Sequence, residues 1–187
     1  MKKIILLAAI FCMPAMLLNA APVRKKPSTQ AVETAMTYVD LGLPSGTLWA
    51  ASNEDEFYTY PDAVAKFGDV LPSKAQWEEL KETCRWEWDK KLGCVVTGPN
   101  GNKINLPCVG YYTCDGEFRG KGEYGEYWTR NNNPSNTMNA WIFDIEANLY
   151  VCDLSYQCYR LSIRLVKNHP AKNVQPVQQV QPVSTQE

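Results

Sequence analysis

Apolar positions recur at helical spacing in one short part of the chain and at alternating spacing in most of the rest. Trp77, Leu80 and Cys84 follow one another at intervals of three and four, and Ser73 with Gln76 three residues on forms a capping signature. The pattern predicts an amphipathic helix over 74–83. A second helix is predicted over 61–67, opened by Pro61 and closed by Gly68, with Val64 and Phe67 on one side. Beyond residue 84 the period shortens to two. Trp86 and Trp88 alternate with Arg85, Glu87 and Asp89, Val95 and Val96 follow, and Pro99-Asn100-Gly101-Asn102 marks a hairpin turn before a strand at 103–106. Further strands are expected at 124–129, 140–145, 149–152 and 161–166. The class is therefore α+β, with one or two early helices packed on a twisted antiparallel sheet with long loops.

The two ends of the chain lack this patterning. Lys2 and Lys3 precede an apolar stretch, Ile4 to Leu18, broken by Pro14 and followed by Asn19 and Ala20, the layout of a signal peptide cut after Ala20. Such a stretch falls short of the ~20 apolar residues needed to cross a bilayer, so no transmembrane segment is expected after cleavage. Cys12 lacks the small residue before it that lipidation requires. The chain is expected to be exported, to the periplasm, cell surface or medium. Residues 21–37, with Arg24, Lys25 and Lys26, form a leader, and 167–187, rich in Gln, Pro and Val, a disordered tail. Residues 38–166 form the domain and hold all six tryptophans and all ten tyrosines.

Composition narrows the chemistry. A formal charge of -1 gives no basis for nucleic-acid binding, and the single histidine, His169, excludes a multi-histidine metal site and a catalytic triad within the domain. Removal of 1–20 leaves six cysteines, Cys84, Cys94, Cys108, Cys114, Cys152 and Cys158. In an oxidising compartment an even number points to disulfides, and their connectivity stays open among 15 alternatives. The five residues between Cys152 and Cys158 allow a hairpin loop that sets them opposite each other, and Cys108 and Cys114 share that spacing. No C-x-x-C pair occurs, so no metal site and no cofactor is expected.

Six ordered blocks carry a family resemblance. They are Tyr38-Val-Asp-Leu-Gly-Leu-Pro-Ser-Gly-Thr-Leu-Trp49-Ala50, Leu71-Pro-Ser-Lys-Ala-Gln-Trp77-Glu-Glu-Leu80, Cys84-Arg-Trp86-Glu-Trp88, Val96-Thr-Gly-Pro-Asn-Gly-Asn102 through Leu106-Pro107, Gly125-Glu-Tyr127-Trp128-Thr and Leu161-Ser-Ile-Arg164-Leu-Val166. Together they resemble the Fibrobacter succinogenes major paralogous domain, abundant in exported proteins of the Bacteroidetes and Fibrobacteres. The resemblance implies a C-type-lectin-like fold, related to that of the formylglycine-generating enzymes, without an activity assigned to the family. Cys94, Cys108, Cys114, Cys152 and Cys158 are additions to the family pattern.

That fold invites three functions. Glycan binding would use Tyr111, Tyr112, Trp128 and Trp141 as stacking surfaces, with Tyr127 beside them, and Asn131 and Asn132 as hydrogen-bonding groups. The plainer alternative makes the tryptophans core and the asparagines a solvated loop. The calcium-site motifs of lectins are absent, and no acidic residue lies between Trp128 and Asn139. Binding to a cell-surface protein is the second possibility, with the Gly-rich segment 116–125 as the candidate loop or simply a hairpin connection. Oxidation like that of the formylglycine-generating enzymes is the third, disfavoured because no cysteine pair is marked as reactive. The sequence thus predicts a non-catalytic, exported binding domain whose partner is a glycan or a surface protein. A purely structural envelope role is the remaining alternative, and oligomeric state is left open.

Overall fold

The computed structural model describes residues 36–168 apart from Leu92 and Asn148. The expected signal peptide and nearly all of the expected leader and tail lie outside the described residues. In chain order the elements are β1 (Tyr38–Asp40), β2 (Thr47–Ala50), α1 (Tyr60–Phe67), a 3-10 turn at Gly68–Val70, α2 (Lys74–Thr83), β3 (Arg85–Asp89), β4 (Gly93–Thr97) and β5 (Lys103–Leu106). There follow β6 (Tyr111–Tyr112), β7 (Phe118–Arg119), β8 (Gly125–Asn132), β9 (Asn139–Glu146), β10 (Leu149–Tyr156) and β11 (Val166–Asn168).

The fold is α+β, with two helices and antiparallel strands, but the strands form four small sheets rather than one. These are β1-β2-β11, β3-β4-β5, β6-β7 and β10-β9-β8. Segment 161–166, expected as a strand, explains much of the division. All six residues are buried, so its side chains cannot alternate between core and solvent. Its backbone instead bonds to several neighbours: Leu161 accepts from Tyr58 and Ile163 from Glu54, while Ser162 donates to Glu126 and accepts from Trp128. Only Val166 enters a regular strand, β11, which runs on to Asn168 and so takes the first two residues of the expected tail.

Helix α2 spans the predicted residues. The Ser73 hydroxyl accepts from the Gln76 amide at 3.1 Å, and the Gln76 side-chain carbonyl accepts from the Ser73 amide at 2.8 Å. Two of the free donors at the helix start are thereby satisfied. Its buried residues are Trp77 and Leu80. Helix α1 begins one residue earlier than expected, because Thr59 accepts from the Asp62 amide and caps it. The helix buries Tyr60 and Ala63 and leaves Val64 exposed, against the sequence expectation for Val64.

Two apolar clusters sandwich the β8–β9 pair. One holds Trp49, Trp77, Leu80, Tyr127 and Phe143, with Trp77 stacked on Phe143 at 4.6 Å. The other holds Tyr60, Leu71, Trp128, Ile142, Leu161 and Ile163. Arg164 joins the layers: it is fully buried and donates to the carbonyls of Ala50 and Asn105. Among the described residues no helix is long and apolar enough to cross a membrane.

Candidate functional site

The residues expected to form a glycan site are dispersed. Trp128 is fully buried, and its indole nitrogen donates to the Tyr58 carbonyl at 2.7 Å, which satisfies its one polar group inside the core. Tyr127 is buried as well, its hydroxyl donating to the Pro107 carbonyl. Trp141 is half-buried, and the Lys74 ammonium sits 3.5 Å from its ring centre, so that face is taken. Asn131 accepts from the Lys74 amide at the start of α2, and Asn132 accepts from Gln157. Both asparagines fasten structure. Tyr112 packs on Phe57 and Phe118 under the Arg160 guanidinium, on the far side of its strand from Tyr111. Of the six, Tyr111 alone borders the group of residues described next.

Of the six candidate cysteines, Cys114 and Cys158 form a disulfide, with Cα atoms 5.1 Å apart. Cys152 is not bridged to Cys158; Cys84, Cys94, Cys108 and Cys152 are free thiols. The bridge spans 44 residues of sequence and fastens the β6–β7 hairpin to the chain after β10. Tyr112 and Arg160 reinforce it by exchanging two backbone hydrogen bonds. On the same hairpin Tyr111 stacks on Tyr159 at 5.5 Å and meets Tyr124 edge-on, while Tyr159 contacts Tyr156. A row of four tyrosines results.

Beside this row lies an acidic face. Glu126 on β8 pairs in register with Asp144 on β9, and Asp144 with Val151 on β10. Side-chain alternation puts Glu146 and Asp153 on that same face. Exposure grows outward, from Glu126 at 9% through half-buried Asp144 and Glu146 to exposed Asp153. Burial and then the charges of Asp144, Glu146 and Asp153 push the Glu126 carboxyl up to about 8. Burial and then Glu146 and Asp153 raise Asp144 to about 6. Burial and the Glu126 charge raise Tyr111. Glu146 and Tyr124 also line an open cleft of 440 Å³ with Trp88, Lys90 and Glu123.

No family model matches the chain, and neither a characterised protein nor a solved structure matches it. Function is therefore argued from the site. A larger groove, 710 Å³, runs along the outer side of α2 past Asn131, but Glu79 within it is already engaged by the Ser45 amide and hydroxyl. The acidic face differs in that the Glu126 carboxyl accepts no hydrogen bond among the described residues and Asp144 Oδ1 is buried without a partner. Sequence reasoning missed Glu126, Asp144, Glu146, Asp153, Tyr124 and Tyr159. One signal was legible: Asp144 and Glu146 alternate with Phe143 and Ile145, which sets two acids on the face opposite a core stripe. The Gly-rich segment 116–125 is the return of the β6–β7 hairpin and the turn that carries Tyr124.

Proposed function

We propose that the chain is an exported, non-catalytic binding domain of the Fibrobacter succinogenes major paralogous type, with a C-type-lectin-like arrangement, and that it takes its ligand at the tyrosine-lined acidic face. The observation that carries this is the row of four tyrosines held by the Cys114–Cys158 bridge against the Glu126 carboxyl and Asp144 Oδ1, which have no hydrogen-bond partner among the described residues. Flat aromatic rings beside unused acceptors suit recognition of a glycan or of a protein surface. The disulfide and the signal-like start of the sequence support an oxidising destination.

The chemistry of the thiols favours binding over catalysis. Burial raises Cys84 to about 11 and Cys108 and Cys152 to about 12, so these thiols stay protonated near neutrality and are poor nucleophiles. Cys94 and Cys108 are neighbours, yet both lie in the core. The reading is tested with the exported chain on arrays of glycans and peptides. Saturable binding that Tyr111→Ala abolishes, with the unfolding midpoint unchanged, supports it. Binding that survives Tyr111→Ala, or no binding to any array member, overturns it.

A further inference from the structure

We infer that the acidic face is the docking site for a protein segment that presents lysine or arginine side chains, their cationic heads set among Glu126, Asp144, Glu146 and Asp153 and against the Tyr111–Tyr159 rings. The inference rests on the binding-domain reading and names the chemistry of its partner. Four observations carry it.

The four acids share one face and none has a counter-ion, since the ion pairs among the described residues are Arg85–Glu87 and Arg119–Glu117. Two of the acids are also short of hydrogen-bond donors. Glu126 is nine-tenths buried and its carboxyl accepts no hydrogen bond among the described residues, and Asp144, met by the Ile145 amide, keeps Oδ1 buried with no partner. Buried acceptors are ordinarily paired, so these point to a donor from outside.

The aromatic surfaces give an internal comparison. Lys66 lies over Tyr58 and Phe67, Lys74 over Trp141, and Arg160 over Tyr112. The chain thus supplies its own cation to three aromatic groups, whereas the row from Tyr124 to Tyr156 has none among the described residues. A cation over these rings would be attracted by their faces as well as by the acids.

The spread of the carboxyls selects among cations. No three His, Cys, Asp or Glu side chains among the described residues are placed to hold a metal ion. The acids instead extend across three strands, a span of about 10 Å at ordinary strand spacing. Alternate side chains of an extended peptide, about 7 Å apart, match such a row. A neutral sugar would fill the acceptors but leave the acids repelling one another, and a cationic segment relieves both. The groups facing Glu126 are Tyr111, Asp144, Glu146 and Asp153, with Arg119 acting on Tyr111.

The test is fluorescence anisotropy of the exported chain with a labelled Arg-Ser-Arg-Ser-Arg peptide, beside a panel of neutral oligosaccharides. Saturable peptide binding is expected. Glu146→Gln with Asp153→Asn, both outward-facing, should weaken it by about tenfold or more, and the charge-matched Asp55→Asn with Glu82→Gln by less than about twofold. Affinity should rise from about pH 6 to 9 as Glu126 loses its proton, since arginine stays charged throughout. Equal weakening by the two double variants would mean diffuse attraction and overturn the inference. Oligosaccharide binding lost in Glu146→Gln with Asp153→Asn overturns it too, while leaving the binding-domain reading intact. Absence of binding to either class sinks both.

Discussion

Two buried charged residues do opposite work. Arg164 is enclosed without a carboxylate, and burial lowers its pKa, yet it is held by the carbonyls of Ala50 and Asn105, which no shorter fork reaches together. Lysine presents a single point donor, so Arg164→Lys should cost about 2–4 kcal/mol, read from urea unfolding. Glu126 has no such donors. Its folded pKa of about 8 stands above the ordinary 4.5, so the folded chain holds that proton more tightly than the unfolded chain. The contribution to stability is complete below about pH 4.5 and is lost as pH rises through about 8, with Asp144 adding a smaller decline that ends near pH 6. Melting temperature should therefore fall between about pH 5 and 8, and Glu126→Gln should flatten that fall. An unchanged slope in the variant would place the effect elsewhere.

Among the elements, those specified by neighbours in sequence were legible and those specified across the fold were not. The capping box of α2 needs only Ser73 and Gln76, and the β3 alternation only the spacing of Trp86 and Trp88. The hairpin turn at 98–102 was equally local, but its second task was hidden. Asn100 and Asn102 donate to the Asp40 carbonyl, and Gly98 packs so closely on Leu41 that an added Cβ would lie 2.0 Å from its carbonyl oxygen. Gly98→Ala should destabilise by about 3 kcal/mol, whereas Gly101→Ala, where nothing lies within 4 Å, should cost only the strain of its positive φ. Equal losses at the two glycines would refute the packing account. Segment 161–166 misled because Leu161, Ile163 and Leu165 alternate with Ser162 and Arg164, which reads as a half-buried strand, whereas the fold buries the two polar residues as well. The acidic face escaped because it exists only once three strands are in register.

At the scale of the whole molecule, the disulfide count changes most from the sequence expectation. The chain has one bridge among the described residues rather than a set of paired cysteines, and it braces the tyrosine hairpin rather than the core. Denaturation without reductant should expose four thiols from Cys84, Cys94, Cys108 and Cys152 to alkylation, and native protein should react slowly, as their burial dictates. Mass mapping that finds all six cysteines protected would overturn the pairing. The bridge itself is worth about 2–4 kcal/mol through the unfolded chain. A different consequence follows from β11, which pairs with β2, and from 161–166, which completes the second core. The side chains that close the fold follow every other described element along the chain. Until they arrive, β2 lacks one neighbour and Trp128 part of its cover, so a growing chain cannot complete either core before this last segment is made.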